Sequence, residues 1–186
     1  MKKIAVLFSG IGSNLAYILE HLHKKELEVV VALTNRPNAG GIAFAKEYNI
    51  PVEIIDSKSF ESREIFDEQI VKTLKSYNPD LTVLAGFMRI LTTVFTDNIR
   101  AINLHPSLLP RHKGIQAIER SYADKFDMGG ISVHWVTSEL DGGEVILQRE
   151  VSKVGKSFEE YEDEVKKIEK KALCEGIRKI LYYSVQ

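Results

Sequence analysis

Residues 2–22, KKIAVLFSGIGSNLAYILEHL, decide the fold. Ile4 to Phe8 is an unbroken apolar run, the mark of a strand buried on both faces. It stops at Ser9-Gly10-Ile11-Gly12-Ser13-Asn14, where two glycines let the backbone turn sharply. Beyond the turn, Leu15, Ile18, Leu19 and Leu22 recur at helical spacing and trace one apolar face. A buried strand, a glycine turn and a helix, in that order, open a parallel sheet flanked by helices.

The alternation continues outward from this start. Val29 to Leu33 is a second apolar run and ends at Thr34-Asn35-Arg36-Pro37. Residues 39–48 read as a helix, 52–55 as a short strand, 60–77 as a longer helix and 81–85 as another buried strand. The second half differs. Residues 101–104 form a short strand ending at His105-Pro106, and 114–124 read as a helix. Residues 131–136 and 144–151 read as strands joined through Asp141-Gly142-Gly143, a link short enough for an antiparallel pair. Ser157-Phe158-Glu159-Glu160 is a capping-box pattern that opens a long helix, with Tyr161, Val165, Ile168 and Leu173 on its apolar face. The expected class is α/β. It has a Rossmann-like parallel sheet flanked by helices, an antiparallel C-terminal strand pair and a long C-terminal helix, in one domain over residues 1–186.

Composition narrows the partners. The 186 residues suit one domain with its own core, and 44% hydrophobic content is ordinary for a globular protein. A net charge of -1 supplies no basic field for nucleic acid, so any anion must be held by a local site. Cys174 is the single cysteine and has no partner for an internal disulfide, which fits a reducing, cytoplasmic setting. The apolar run after Met1-Lys2-Lys3 is too short for a signal peptide, and no segment approaches the roughly 20 apolar residues of a membrane span.

Two places carry candidate chemistry. The turn from Ser9 to Asn14 leads into a helix N-terminus, where free N–H groups and the positive dipole end suit a phosphate. A dinucleotide fingerprint competes for the same residues. It requires a third glycine where Leu15 stands, and an acid near the end of the second strand, where Thr34-Asn35-Arg36 stands. A purely structural turn is the remaining reading. The second place is Asn103-Leu104-His105-Pro106. Strand alternation puts Asn103 and His105 on one side, so a carboxamide and an imidazole point the same way. Asp141 lies in the later glycine turn, where an aspartate ordinarily bonds its own backbone. Together the three suit acyl transfer between amines. Asn103 can donate to an oxyanion, His105 can move protons near neutral pH, and Asp141 can orient His105 and favour its imidazolium. The set needs no metal. His21, His23 and His112 have no ligand pattern and read as surface residues, and His134 reads as packed within its strand.

At this point the sequence resembles a known family. Asn103 to Pro110 reads NLHPSLLP and Gly130 to Gln148 reads GISVHWVTSELDGGEVILQ. Both are similar to the signatures of formyltransferases that use 10-formyltetrahydrofolate. SGIGSN at Ser9 to Asn14 and AGFMRIL at Ala85 to Leu91 narrow the likeness to the branch whose acceptor is glycinamide ribonucleotide. The resemblance implies that Asn103, His105 and Asp141 are catalytic. It implies that Gly12, Ser13, Asn14 and Glu169 hold the nucleotide. It also implies that Arg63, Met88, Arg89, Ile90, Leu91 and Asn103 line the folate site. The implied partners are two small molecules, with no nucleic acid, no membrane and no metal, and a monomer or homodimer as the assembly. One stretch departs from the family pattern. After SLLP the family commonly has an aromatic-Pro-Gly run and then a histidine, whereas here Lys113 takes the proline position and Gln116 the histidine position.

The alternatives are a 10-formyltetrahydrofolate hydrolase, a methionyl-tRNA formyltransferase, an NAD-binding oxidoreductase and a non-catalytic binding protein. The first two usually carry an additional domain, and the chain is expected to lack both. The missing glycine and acid count against NAD.

Overall fold

The structure is a computed structural model and describes residues 1–183. The chain divides into two compact units, Met1–Ile102 and Asn103–Gln186.

The first unit holds β1 (Lys2–Phe8), α1 (Ser13–His21), β2 (Leu27–Thr34), α2 (Gly41–Glu47), β3 (Val52–Ile54), α3 (Arg63–Tyr77), β4 (Leu81–Leu84) and α4 (Thr93–Thr96). Its strands lie in the order β3-β2-β1-β4 and the pairs are parallel. Ile4 to Phe8 are fully buried, as their unbroken apolar character requires. The register sets Phe8 beside Thr34 and Leu7 beside Leu84, so β1, β2 and β4 end at one level. The order reverses at β1. β2 and β3 lie to one side of it and β4 to the other, which makes the carboxyl ends of β1 and β4 a topological switch point, where open α/β sheets bind ligands. Beyond β4 comes the start of β5 (Ala101–His105).

The second unit contains the rest of β5, then α5 (Ala117–Ala123), β6 (Met128–Trp135), β7 (Val145–Ser152) and α6 (Phe158–Arg178). Its strands follow the order β5-β6-β7, with β6 and β7 antiparallel. The antiparallel pair and the long final helix match the expected class. Ser157 caps α6 by accepting from the Glu160 N–H at 3.2 Å, and the Glu160 carboxylate accepts from the Ser157 N–H at 3.3 Å. Tyr161, Val165, Ala172 and Leu173 are buried on its apolar side, and Cys174 is a small buried residue of the same helix.

Boundaries differ from expectation where short-range chemistry intervenes. α3 starts at Arg63 rather than residue 60, because Ser62 caps it by accepting from the Ile65 N–H at 3.2 Å. α5 starts at Ala117 rather than residue 114, because Gly114 (φ 82°) and Gln116 (φ 54°) are left-handed and cannot belong to a right-handed helix. α4 has four residues, too few to show periodicity.

Candidate active site

The glycine turn occupies the C-terminal end of β1 in the first unit. Gly12 sits just before α1 with φ 80° and ψ 27°. A Cβ there would lie 2.5 Å from the Gly41 Cα, so left-handed backbone and close approach both demand glycine. No side chain caps α1, so its first turn presents backbone N–H groups in the manner of an anion site. Ser13 is exposed. The Asn14 Oδ1 is buried and has no partner among the described residues, which leaves an acceptor for a hydroxyl. The fully buried Ser9 ties this turn to its neighbours. Its hydroxyl donates to the Asn35 Oδ1 at 2.5 Å and accepts from the Met88 N–H at 2.8 Å, while its own N–H donates to the Gly86 carbonyl at 3.0 Å.

The strip after β4 is thereby held at one end by Ser9. Its other end is held by Asp67, whose Oδ2 accepts from the Thr92 N–H at 2.6 Å and hydroxyl at 2.7 Å. Between these anchors Met88 and Ile90 are exposed and Leu91 is buried. The Arg89 guanidinium lies 5.2 Å from the centre of the Phe66 ring. Arg63 is exposed at the start of α3. Burial pushes the Asp67 carboxyl up, against the two Thr92 hydrogen bonds and the nearby Arg89 charge.

The second unit brings Asn103, His105 and Asp141 together and adds His134. His105 and Asp141 are 6% and 8% exposed, with the His105 Nδ1 3.4 Å from the Asp141 Oδ2. The His134 Nε2 lies 3.5 Å from the Asp141 Oδ1 and 3.3 Å from the Asn103 Nδ2. The His134 Nδ1–H donates to the Trp135 carbonyl at 2.9 Å, so in the neutral ring Nε2 accepts from the Asn103 carboxamide. One Asn103 N–H is thus engaged and the other is available to an incoming oxygen. The Gly114 N–H donates to the Asp141 Oδ2 at 2.8 Å. Gly143 makes this turn possible, since a Cβ there would lie 1.7 Å from the Trp135 carbonyl oxygen.

Electrostatics follow from burial and contacts. Burial lowers the His105 pKa, only partly countered by its bond to the His112 carbonyl and the Asp141 charge; His134 and Arg120 add to the lowering. The buried ring is therefore neutral at pH 7. Burial alone would raise the Asp141 carboxyl, but the adjoining His134 ring, the hydrogen bond from the Gly114 N–H and the attraction of either imidazole once protonated outweigh it, and its pKa lies below the ordinary carboxylate value.

The tautomer of His105 is set from outside the trio. Its Nε2 lies 2.8 Å from the His112 carbonyl, which can only accept, so Nε2 carries the hydrogen and the neutral ring is basic at Nδ1, facing Asp141. Sequence reasoning missed this contact, because a backbone carbonyl leaves no mark in a sequence. It also misplaced two histidines. His23 is buried and its Nδ1 accepts from the Val29 N–H at 3.0 Å, while His112 is half-buried against Asp124. His134, at 2% exposure, is packed as expected but also touches the site. Lys113 pairs with Glu139 at 3.0 Å, and Gln116 is exposed. Glu169 is half-buried on α6. Among the described residues, no group of three or more His, Cys, Asp or Glu side chains is arranged to hold a metal, and no helix is long and apolar enough to cross a membrane.

An uncapped helix start at the switch point and a buried carboxamide–imidazole–carboxylate cluster fit a group-transfer enzyme of the α/β class. The chain belongs to the formyl transferase family, whose profile matches residues 2–177. It is 39% identical to the phosphoribosylglycinamide formyltransferase of Escherichia coli K12 over 80% of this chain and 72% of that protein. It is 32% identical over 99% of its length to a human protein, the trifunctional purine biosynthetic protein adenosine-3, of which it corresponds to 19%. The crystal structure of phosphoribosylglycinamide formyltransferase from Campylobacter jejuni matches with a TM-score of 0.94 at 49% identity, over 96% of this chain and 97% of that one.

Proposed function

We propose that this enzyme transfers the formyl group of 10-formyltetrahydrofolate to the amine of glycinamide ribonucleotide, yielding formylglycinamide ribonucleotide and tetrahydrofolate for purine biosynthesis. The observation that carries this reading is the buried cluster in which His105, basic at Nδ1, faces an ionised Asp141 beside the Asn103 carboxamide.

The acceptor amine attacks the formyl carbon, a C–N bond forms, and negative charge develops on the formyl oxygen. The free N–H of Asn103 donates to that oxygen. His105 takes the proton released by the attacking amine, and Asp141 compensates the imidazolium so formed. The proton then passes to the departing folate nitrogen as its C–N bond breaks, which returns His105 to the neutral state. Gly12, Ser13 and Asn14 hold the nucleotide's phosphate and sugar through backbone N–H groups and the unpartnered Asn14 oxygen. Glu169 is assigned to the same substrate. Arg63 and the strip Met88, Arg89, Ile90 and Leu91 are assigned to the folate, with exposed apolar side chains for its rings and a cation for its carboxylates.

The family match runs through both units, which supports one formyltransferase domain over residues 1–186. A cytoplasmic setting and a monomer or homodimer complete the proposal. Purified protein mixed with 10-formyltetrahydrofolate, with and without glycinamide ribonucleotide, tests it by folate absorbance. Loss of formylfolate only with the nucleotide present is expected. Loss without it would mean a hydrolase, and no loss in either mixture would remove the catalytic reading.

A further inference from the structure

His112 stands in the stretch where this chain departs from its family's pattern, and it joins two things. Its carbonyl receives the His105 Nε2–H at 2.8 Å, and its side-chain Nε2 lies 2.7 Å from the Asp124 Oδ2. The backbone between them is left-handed, at φ 54°, so the carbonyl's direction is an imposed conformation rather than a resting one. Asp124 is itself fixed. It follows α5, its Oδ1 accepts from the Lys153 Nζ at 2.6 Å and from the Phe126 N–H at 2.9 Å, and the Arg111 Nη1 lies 3.5 Å from its Oδ2. Lys153 also donates to the Ser121 carbonyl at 2.6 Å and to the Asp124 carbonyl at 3.2 Å. Burial would raise the Asp124 carboxyl, but the bonds from Lys153, His112 and the Phe126 N–H hold it at about 2. A permanent anion therefore grips the His112 side chain.

We infer that His112, anchored through Asp124 and Lys153, is a positioning residue that selects which nitrogen of His105 is basic. With the carbonyl in place, the neutral ring keeps its hydrogen on Nε2 and offers Nδ1 to the transferred proton, next to Asp141. When the carbonyl drifts, the ring lowers its energy by placing the hydrogen on Nδ1, where it donates to Asp141, and the basic site turns away from the carboxylate that stabilises the imidazolium. The roles of Lys113 and Gln116 then matter less to catalysis than the residue one place before Lys113.

This inference rests on the reading of His105 as the proton carrier, but its test does not require turnover. Two substitutions separate anchoring from folding. His112→Asn tolerates the left-handed backbone but is too short to reach Asp124. His112→Gln places its amide nitrogen where the imidazole Nε2 was, and Gln116 shows that glutamine adopts this backbone here. Two-bond 1H–15N spectra of 15N-histidine-labelled protein, recorded at about pH 8, well above the lowered His105 pKa, distinguish the two tautomers of His105. The unsubstituted protein is expected to show hydrogen at Nε2. His112→Asn should shift a substantial fraction to Nδ1 and lower kcat about tenfold or more with KM within about twofold, as for a misplaced catalytic group. His112→Gln should restore both. Wild-type tautomer and turnover in His112→Asn, or equal impairment of both variants, would overturn the inference. Were the unsubstituted protein inactive, the proposed function would fall, and the tautomer comparison would still decide the anchoring.

Discussion

His105 and Asp141 together set the pH behaviour of the site. Burial holds the His105 pKa below its ordinary value of 6.5, so the base is competent at neutral pH and lost on acidification. The acid limb of kcat/KM is therefore expected below about pH 6.5, the reference histidine value. Asp141→Asn keeps an oxygen for the Gly114 N–H and suits the left-handed backbone at φ 51°, yet removes the charge that favours the imidazolium. Turnover should fall by roughly 100-fold or more. The acid limb should also move to lower pH, because Asp141 raises the His105 pKa. Rate profiles of the two proteins check both effects, and unchanged turnover would remove Asp141 from the mechanism.

The elements position these groups through their ends. The β1–α1 turn is proposed to serve the nucleotide and the strip after β4 the folate. Ser13→Ala and Asn14→Ala should each weaken glycinamide ribonucleotide binding about tenfold, the scale of one lost hydrogen bond to a charged or polar ligand, and leave folate binding within about twofold. Titration calorimetry with each ligand separates the outcomes, and an equal loss for both would place the phosphate elsewhere. α6 depends on its capping box. Ser157→Ala removes the acceptor for the Glu160 N–H and should cost about 1 kcal/mol in a urea unfolding curve with unchanged slope.

Across the whole molecule, acid should remove stability in two stages. The His23 pKa is lowered, first by burial and then by the Lys24 charge, against a small upward pull from Glu28. A neutral His23 accepts from the Val29 N–H, and a protonated one cannot accept. The stabilisation from His23 and His105 is present above 6.5, the unfolded value, and is lost as pH falls through their lower folded values. Asp124 acts later, with a contribution present above 3.8 and lost as pH falls to about 2. Asp67 opposes both, because its raised pKa makes protonation favour the fold. Melting temperature should fall by a few degrees between about pH 7.5 and pH 5, on the scale of roughly 2 to 4 °C per kcal/mol for a chain of this size. A steeper fall should follow below about pH 4, near the reference carboxylate values. Calorimetric scans across pH measure this, and a flat profile between pH 7.5 and 5 would contradict the burial of two neutral histidines.

The sequence by itself determined the fold class and one pair of the candidate cluster, because both rest on local signals. Unbroken apolar runs mark strands buried on both faces, helical spacing marks α1, α3 and α6, and Ser157 with Glu160 writes a cap in four residues. Asn103 and His105 share a strand face by alternation alone. Only the tertiary structure decided what joins those residues to the rest of the cluster. It decided that Asp141 meets His105 across a separation of 36 residues, that His134 joins them, and that a carbonyl rather than a side chain picks the basic nitrogen. It also turned His23 and His112 from surface residues into buried and anchored ones. The physical reason is common to these cases. A periodic pattern reports which face of an element is apolar, whereas the direction of a carbonyl and the partner of a buried imidazole depend on backbone brought near by packing, and that backbone has no signature in its own residues.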